Sequence, residues 1–595
     1  MNKEKFLKSI SEYFWRLTGD DGSLVCPKHR IEHTGKNVYS AAIDLKIYEL
    51  TGEEKYYQRS KVRVQQTLTR LIKDPEFGYW IFYPGRLNKW NVSNSIIDAG
   101  ACLDVLAVFY QGSHEKLDKE EKKEIEQAIL KNGDTYLKEA IVSKPITNQR
   151  LWGATGLASA YKIFKKTDWR QSLIESVNKS FAEMWSDGTF PYHPGWREAK
   201  IFEGINDTTT FYHSRCLGFI YYILDCIDQN PVEYKDRLIK AANLLVAMYQ
   251  PDGIKNINLE CKRWYWDSHY EVASASFDIY ALVKTYQLTN DNVYIYYAQK
   301  AFEQVMNHLL PDGGITSHVG EPQNNFQCRV FWNSNLVWLA RSIRELFLAQ
   351  SQIRESEAEF VYLNDSGILK FKNKSYSCII RGKKNAMSLM WGPAIGGGSM
   401  LYFGRGQEDW KNIFIFNDWQ EDIAGNFSFY CGKNYFLNLK NIVIANKRDI
   451  KEDLHHVLGR LRRPDFQGFL TSLLKLFRWI FLSGRLVYTS QWATNVDQII
   501  QDNQAKFESV AATKGGQGLV GVRIEREYTF KEDRLDIRES VIIKNQSIKR
   551  IKYNKILGVT DFKIDTNLKY RQNDRNIVCY NNQVESRLVV SYSLK

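Results

Sequence analysis

The chain has no paired-cysteine framework, no membrane-length apolar run, no block of basic residues and no evident pair of catalytic carboxylates. Each lack excludes a class of protein. Its nine cysteines are an odd number, scattered without a C-x-x-C pair. That pattern argues against a disulfide scaffold or a zinc ribbon, and for buried thiols in a reducing compartment. No apolar run reaches the roughly 20 residues of a membrane-spanning helix, so no membrane span is expected. The opening MNKEKFLKSISEYFWRL has neither an apolar signal core nor a small-residue cleavage site. The expected location is therefore the cytoplasm, or the periplasm or exterior if a signal was removed before this numbering. Lys and Arg number 81 against 68 Asp and Glu, a net +13, but the basic residues are dispersed and form no arginine-rich tract. Nucleic acid is thus disfavoured, and an acidic polysaccharide or oligosaccharide is the better partner for a mild positive excess.

What is present is a long, aromatic-rich chain. At 595 residues it exceeds one ordinary core, so at least two domains are expected. Asp-Gly turn signals recur at Asp21-Gly22, Asp187-Gly188, Asp252-Gly253 and Asp312-Gly313, and Asp74–Gly78 fills a similar slot. Each is followed by a short loop and an apolar-periodic segment. These segments lie near 36–50, 91–110, 148–166, 207–229, 268–288 and 325–349, a spacing of roughly 55 to 60 residues that signals a repeat architecture. Partner helices are expected near 4–18, 55–73, 118–140, 168–186, 233–250 and 291–310. Charged runs such as 114–126 mark the partners as outer helices. The small-residue run Ala154-Thr155-Gly156-Leu157-Ala158 marks its own segment as inner wall. Six hairpins of this kind bury their faces on one another, as a closed ring or an open stack. The fold class expected is an N-terminal (α/α) toroid over 1–355 and an antiparallel β-sandwich over 356–595.

The second region carries short alternating segments bounded by Gly, Asn, Asp and Lys, among them Ile368–Phe371, Ser377–Arg381, Met387–Trp391, Met400–Phe403, Phe414–Phe416, Val487–Trp492, Val520–Phe530 and Leu535–Ile543. The Gly396-Gly397-Gly398 run lacks a following Lys-Ser/Thr, which favours a tight turn over a phosphate loop. The apolar stretch Phe466–Leu482 reads as a buried helix or partner contact rather than a membrane insert.

The turns lead from outer into inner helices, so the inner helices begin on one rim with free N–H groups and positive dipole ends. Polar and aromatic clusters gather there: Asn91, Asn148, Gln149, Trp152, His193, Arg197, Tyr212, His213, Arg263, Trp264, Trp266, His269, Trp332 and Asn333. They lack the flanking carboxylate pair of glycoside hydrolysis. Amide, phenol, imidazole and guanidinium suit β-elimination from a uronate. There an amide or cation neutralises the carboxylate, and Tyr or His moves the α-proton. Simpler readings stand beside these. Asn148 fits a helix N-cap, Tyr212 fits the core, and His193 fits packing on Trp196 in a Pro/Gly loop.

This arrangement resembles the toroid-plus-sandwich polysaccharide lyases, the alginate lyases and the heparinase II/III group. Asn148-Gln149 stands before Trp152 as an Asn-His pair does in alginate lyases, and Tyr212-His213 matches their Tyr-His pair. Asp187-Gly188-Thr189-Phe190-x-x-His193 is similar to the Asp-Gly-Ser-Phe-x-x-His loop of hyaluronate-type lyases. The resemblance implies that Asn148 neutralises the substrate carboxylate, Tyr212 transfers the proton and His193 serves as base. Gln149 replaces the alginate-lyase His, so His269, His455 and His456 stay open as bases. No metal or other cofactor is expected, since no His/Asp cluster matches the metal sites of that group. A glycoside hydrolase using Asp98, Glu203, Asp207 or Asp267, and a non-catalytic binding protein of capsule assembly, remain the alternatives.

Overall fold

The computed structural model describes residues 3–27, 32, 34–75, 78–83, 91–191, 208, 210, 212–256, 272, 274–316, 329–349, 359–382, 387–388, 392–393, 396–406, 425–431, 487–512, 518–556, 559 and 561–594. Within these, the first part of the chain is helical: α1 (Lys3–Trp15), α2 (Thr34–Thr51), α3 (Glu54–Leu68), α4 (Asn91–Ser113), α5 (Lys119–Asn132), α6 (Lys138–Ser143), α7 (Thr147–Phe164), α8 (Thr167–Glu183), α9 (His213–Cys226), α10 (Lys235–Ala247), α11 (Ala275–Thr289), α12 (Asn292–Asn307), α13 (Arg329–Asn333) and α14 (Val337–Leu348). A π-turn over Gly133–Leu137 joins α5 to α6, and a 3₁₀ turn over Ser334–Leu336 joins α13 to α14. Six outer–inner pairs result, as the turn spacing predicts.

Outer helices such as α3 and α5 bury one stripe, whereas α12 buries the unbroken run Tyr294 to Gln299. In α3 the stripe is Tyr56, Tyr57, Ser60, Arg63, Val64 and Thr67, the 3.6-residue period of a helix with one wet face. Inner helices are buried on all sides for much of their length: Thr34 to Leu45 in α2 and Thr147 to Ala160 in α7. Side-chain size decides how closely they approach. A Cβ at Gly100 would lie 2.3 Å from the Trp152 carbonyl, and one at Gly156 would lie 2.3 Å from the Gly100 carbonyl, so α4 and α7 touch backbone to backbone. Inner helices pack in cyclic order, α2 on α4, α4 on α7, α7 on α9, α9 on α11, α11 on α14, and α14 back on α2. The ring is closed. Apolar composition makes Ile96–Lys116 long and apolar enough to cross a membrane, contrary to the sequence expectation. That segment is largely buried, as an inner wall of the ring must be.

Four Asp-Gly turns share one geometry. The Gly N–H donates back to the carbonyl of Gly19, Trp185, Gln250 or Leu310, and the Asp Oδ1 accepts the N–H two residues on, at 2.9–3.1 Å. Their glycines have φ between +80° and +96°, a region that disfavours any side chain. Three of them, Gly22, Gly188 and Gly313, lie against a neighbouring outer helix. A Cβ on Gly188 would stand 2.4 Å from the Lys240 carbonyl carbon, and one on Gly313 would stand 2.4 Å from the Ser9 carbonyl oxygen, which ties the last turn to α1.

Beyond residue 358 the described structure is antiparallel sheet. Ten strands run in the order Lys563–Thr566, Ser586–Leu594, Leu535–Ile543, Val522–Phe530, Gln504–Ala512, Val487–Gln501, Asn426–Cys431, Ile548–Asn554, Asn576–Tyr580 and Lys569–Gln572. A four-stranded sheet, Glu359–Leu363, Ile368–Lys372, Tyr376–Arg381 and Ser399–Arg405, shares its core, with Leu369, Tyr376, Cys378, Ile380 and Phe403 joining Phe427, Phe507, Ile537 and Tyr553. Of the strand expected over Met387–Trp391, Met387–Ser388 is a strand that pairs with Gly392–Pro393, and 389–391 lie outside the described residues. Gly397 and Gly398 have positive φ, and both carbonyls accept side-chain hydrogen bonds, from Arg526 and Tyr528.

The contacts divide the chain into two compact units. One comprises residues 1–195, 211–246 and 270–355; the other comprises 196–210, 247–269 and 356–595. Among the described residues, Thr208, Thr210 and 247–256 thus cluster with the sandwich. The last includes the Asp252-Gly253 turn and Asn256, whose Nδ2 donates to the Leu401 carbonyl at 3.5 Å.

Candidate active site

Side chains on the inner faces of the ring stack in layers along its axis. The layer nearest the inner-helix N-termini holds Lys36, Asn148, Arg215 and Trp332, each within the first turns of its helix. All four are buried, at 1–3% exposure. The next layer is aromatic: Tyr39, Trp152, Phe219, Phe277 and Trp338, with ring centroids 4.9 Å apart for Phe219–Trp338 and 5.3 Å apart for Trp152–Phe219. Deeper still, Asp104 accepts from Ser159 at 2.7 Å, Tyr222 at 2.8 Å and Arg341 at 2.6 Å.

Trp152 is the hinge of the upper layers. Its Nε1–H donates to the Tyr39 hydroxyl at 2.7 Å. Burial pushes the Tyr39 phenol far above its ordinary range, so it stays neutral. The Lys36 ammonium stands 3.6 Å from a Trp152 ring centre, and Lys36 donates to Asn335 Oδ1 at 2.8 Å. The Arg215 guanidinium stands 5.7 Å from the Trp152 ring, 5.9 Å from Trp332 and 5.2 Å from Tyr212. Two cations thus attend one indole, held by the negative face of its ring.

Asn148 is the second residue of α7, one turn before Trp152 on the same face. The cap position belongs to Ile146, which makes no side-chain capping bond. Asn148 is therefore not an N-cap. Among the described residues no hydrogen-bond partner reaches its Oδ1 or the Oε1 of Gln149, although both atoms are buried. Tyr212 sits at the cap position of α9, half-buried, with Arg215 one turn behind it.

The remaining sequence candidates separate into three groups. His213 is fully buried in the wall: Nε2 lies 2.7 Å from the Ala241 carbonyl and Nδ1 accepts from Phe190 N–H at 3.4 Å. Both ring nitrogens are occupied, so His213 anchors α9 and does not face a ligand, contrary to expectation. Asn333 is likewise fully buried, its amide bonded to both N–H and C=O of Ile315 at 2.7 and 3.0 Å; it clamps a turn, against the expectation of substrate contact. Asp98, a candidate hydrolase acid, is buried and accepts the Gly35 N–H at 3.0 Å, a carboxylate at a helix N-terminus. Asn91 begins α4, and its side chain lies outside the described structure. His193, Arg197, Arg263, Trp264, Trp266, His269, Glu203, Asp207, Asp267, His455, His456 and the stretch 466–482 lie outside the described residues.

Sequence reasoning missed Lys36, Tyr39 and Asn335 in these layers, and it counted Arg215 among the rim residues without giving it a role. The available signal was charge within an otherwise apolar inner helix: Lys36 opens α2 and Arg215 opens α9.

No protein-family model matches the chain, and no curated protein matches it in sequence. Solved structures do match in shape. Heparinase III aligns over 100% of this chain and 85% of its own, at 10% identity and a TM-score of 0.51. A polysaccharide lyase aligns over 59% of this chain and 99% of its own, at 16% identity and a TM-score of 0.43. A glycosyl hydrolase family 88 protein from Bacteroides vulgatus aligns over 58% of this chain and 100% of its own, at 15% identity and a TM-score of 0.44. What this chain shares with heparinase III is therefore its fold, a ring of helical hairpins followed by a β-sandwich.

Proposed function

We propose that this protein is a lyase that cleaves a uronate-containing polysaccharide by β-elimination at the N-terminal end of its inner helices. The observation that carries the reading is Asn148. It is a buried amide that does not cap its helix and whose Oδ1 has no partner among the described residues, on the same helix face as Trp152, which Lys36 and Arg215 attend. A buried polar atom without a partner costs about 1–3 kcal/mol, a cost retained where a ligand supplies the partner.

In this reading the Asn148 Nδ2–H donates to the substrate carboxylate while Oδ1 accepts from a sugar hydroxyl, and Lys36 and Arg215 make the surroundings positive. A base removes the C5 proton, the electron pair forms the C4–C5 double bond, and the C4–O bond breaks. Tyr212 returns a proton to the departing oxygen, and Arg215, 5.2 Å from its ring, is a fixed positive charge beside the transient phenolate. His193 is the proposed base. The substrate is an acidic polysaccharide or oligosaccharide.

The test is incubation of the purified full chain with alginate, heparan sulfate, hyaluronan and bacterial capsular polysaccharides. The reading expects new ultraviolet absorbance from an unsaturated uronyl end. New reducing ends without that absorbance would instead establish a hydrolase. Saturable binding with neither signal would establish a polysaccharide-binding protein without lyase activity.

A further inference from the structure

The aromatic layer of Trp152, Phe219, Phe277 and Trp338 divides the axis of the ring. Below it, among the last turns of the inner helices, lies a cavity of about 250 Å³. Its roof is Arg341 and Tyr222, its walls include Tyr280 and Val108, and Lys162 and Glu345 flank it. None of these residues belongs to the candidate active site, which lies at the opposite ends of the same helices.

We propose that this cavity binds a neutral, sugar-sized polyol. Three observations support it. First, two buried polar atoms there have no partner among the described residues: Arg341 Nη1, an N–H donor, and Glu345 Oε2, a carboxylate acceptor. They are one helical turn apart on α14, on one face, and a hydroxyl can satisfy both kinds of group. Second, the charges cancel. The lining has four cations (Lys46, Lys162, Lys284, Arg341) and three anions (Glu49, Asp225, Glu345), and Asp104, 2.6 Å behind Arg341, supplies the fourth. Lys46 is paired with Glu49 at 3.0 Å and Lys284 with Asp225 at 2.6 Å, so the site offers no net field to an ion. Arg341 already has its countercharge and presents a donor rather than a free positive charge, which disfavours a zwitterion. Third, the volume falls just below the roughly 300–1,000 Å³ typical of drug-sized ligands, which suits one sugar ring.

Calorimetric titration of the full chain with glucose, galactose, mannose, myo-inositol and glycerol tests this, with glycine and acetate as charged counter-probes. The expected result is saturable one-site binding of at least one polyol, with a Kd on the order of 1 mM as befits a ligand of few atoms. Glu345→Ala should weaken it roughly tenfold or more, since it removes a hydrogen bond to a charged group. Val108→Phe, which fills the cavity from its wall without touching an ion pair, should abolish it. Tyr212→Phe should leave it unchanged, which separates this cavity from the candidate active site. Failure of every polyol to bind, tighter binding of glycine or acetate, or polyol binding that survives both Glu345→Ala and Val108→Phe overturns the proposal.

Discussion

Lys36 holds its ammonium 3.6 Å from the centre of a Trp152 ring, two inner helices meeting through a cation and an indole. The same indole donates to Tyr39 and lies 5.7 Å from the Arg215 guanidinium. Trp152→Phe keeps an aromatic ring but removes the N–H, leaving the Tyr39 hydroxyl buried without that donor. The variant should lose about 1–3 kcal/mol of unfolding free energy in urea titration. An unchanged midpoint would mean that this bond contributes nothing to the ring.

Asn148→Ala should separate activity from stability. Because Asn148 Oδ1 has no partner among the described residues and the residue does not cap α7, truncation removes an unsatisfied group. Lyase activity should fall on the order of 10²–10³-fold, while the thermal midpoint holds or rises. Tyr212→Phe should fall on the order of 10²–10⁴-fold with its fold intact. A destabilised Asn148→Ala protein would show that the amide serves the fold rather than a ligand.

Gly188→Ala tests the repeated turn. The position combines φ of +96° with a Cβ 2.4 Å from the Lys240 backbone, so α8 to α10 must shift to admit a methyl group. A loss above about 2 kcal/mol is expected. Gly52→Ala, at φ +72° with open space around it, should cost only about 1 kcal/mol. Equal losses in urea titration would refute the packing role.

In the sandwich, Arg526 and Glu539 are an ion pair at 2.8 Å, each at most 2% exposed at the side chain. Arg526 also donates to Gly397, Asn426 and Ser490 at 2.6–2.8 Å. Glu539→Leu leaves that guanidinium buried without its countercharge and should cost about 3–5 kcal/mol. Replacing both residues with apolar ones should recover much of the loss, a comparison that denaturant melts of the single and double variants decide.

Acid should weaken the turn before α13. Arg329 donates to both Asp312 oxygens at 2.7 and 2.9 Å and holds that carboxyl below its ordinary value. A lowered carboxyl stabilises the fold above its unfolded pKa of about 3.9 and loses the effect as pH falls through the folded value. The stability difference between the native chain and Asp312→Asn should therefore be constant above about pH 5 and shrink toward pH 2. A difference that stays flat to low pH would mean that the pair is not coupled to folding.

Much of the helical region is legible because local chemistry and tertiary need agree there. Asp-Gly turns need positive φ, and the glycines stand where the turns are. Helix α7 spans Thr147–Phe164, against an expected 148–166. Helix α11 shows the limit. It begins at Ala275, seven residues after the expected 268, because the apolar period marks where a helix can run and not where it starts. In the sheet, Leu535–Ile543 matches expectation, whereas Ile548–Asn554 was not anticipated. Its burial departs from alternation at Lys549 and Arg550, so period two is broken in the sequence itself.

By itself the sequence determined the order and kind of the elements, helical hairpins and then strands, because turn glycines and apolar period act over a few residues. It also put amides and aromatics at the starts of inner helices. Only the tertiary structure decided which of them meet. His213 and Asn333 looked like ligands and proved to be anchors, because their partners, Ala241 and Ile315, come from other elements. Lys36 and Asn335 are 299 residues apart in the chain and 2.8 Å apart in the ring. A contact at that separation exists only once the last inner helix packs against the first, and nothing local specifies it.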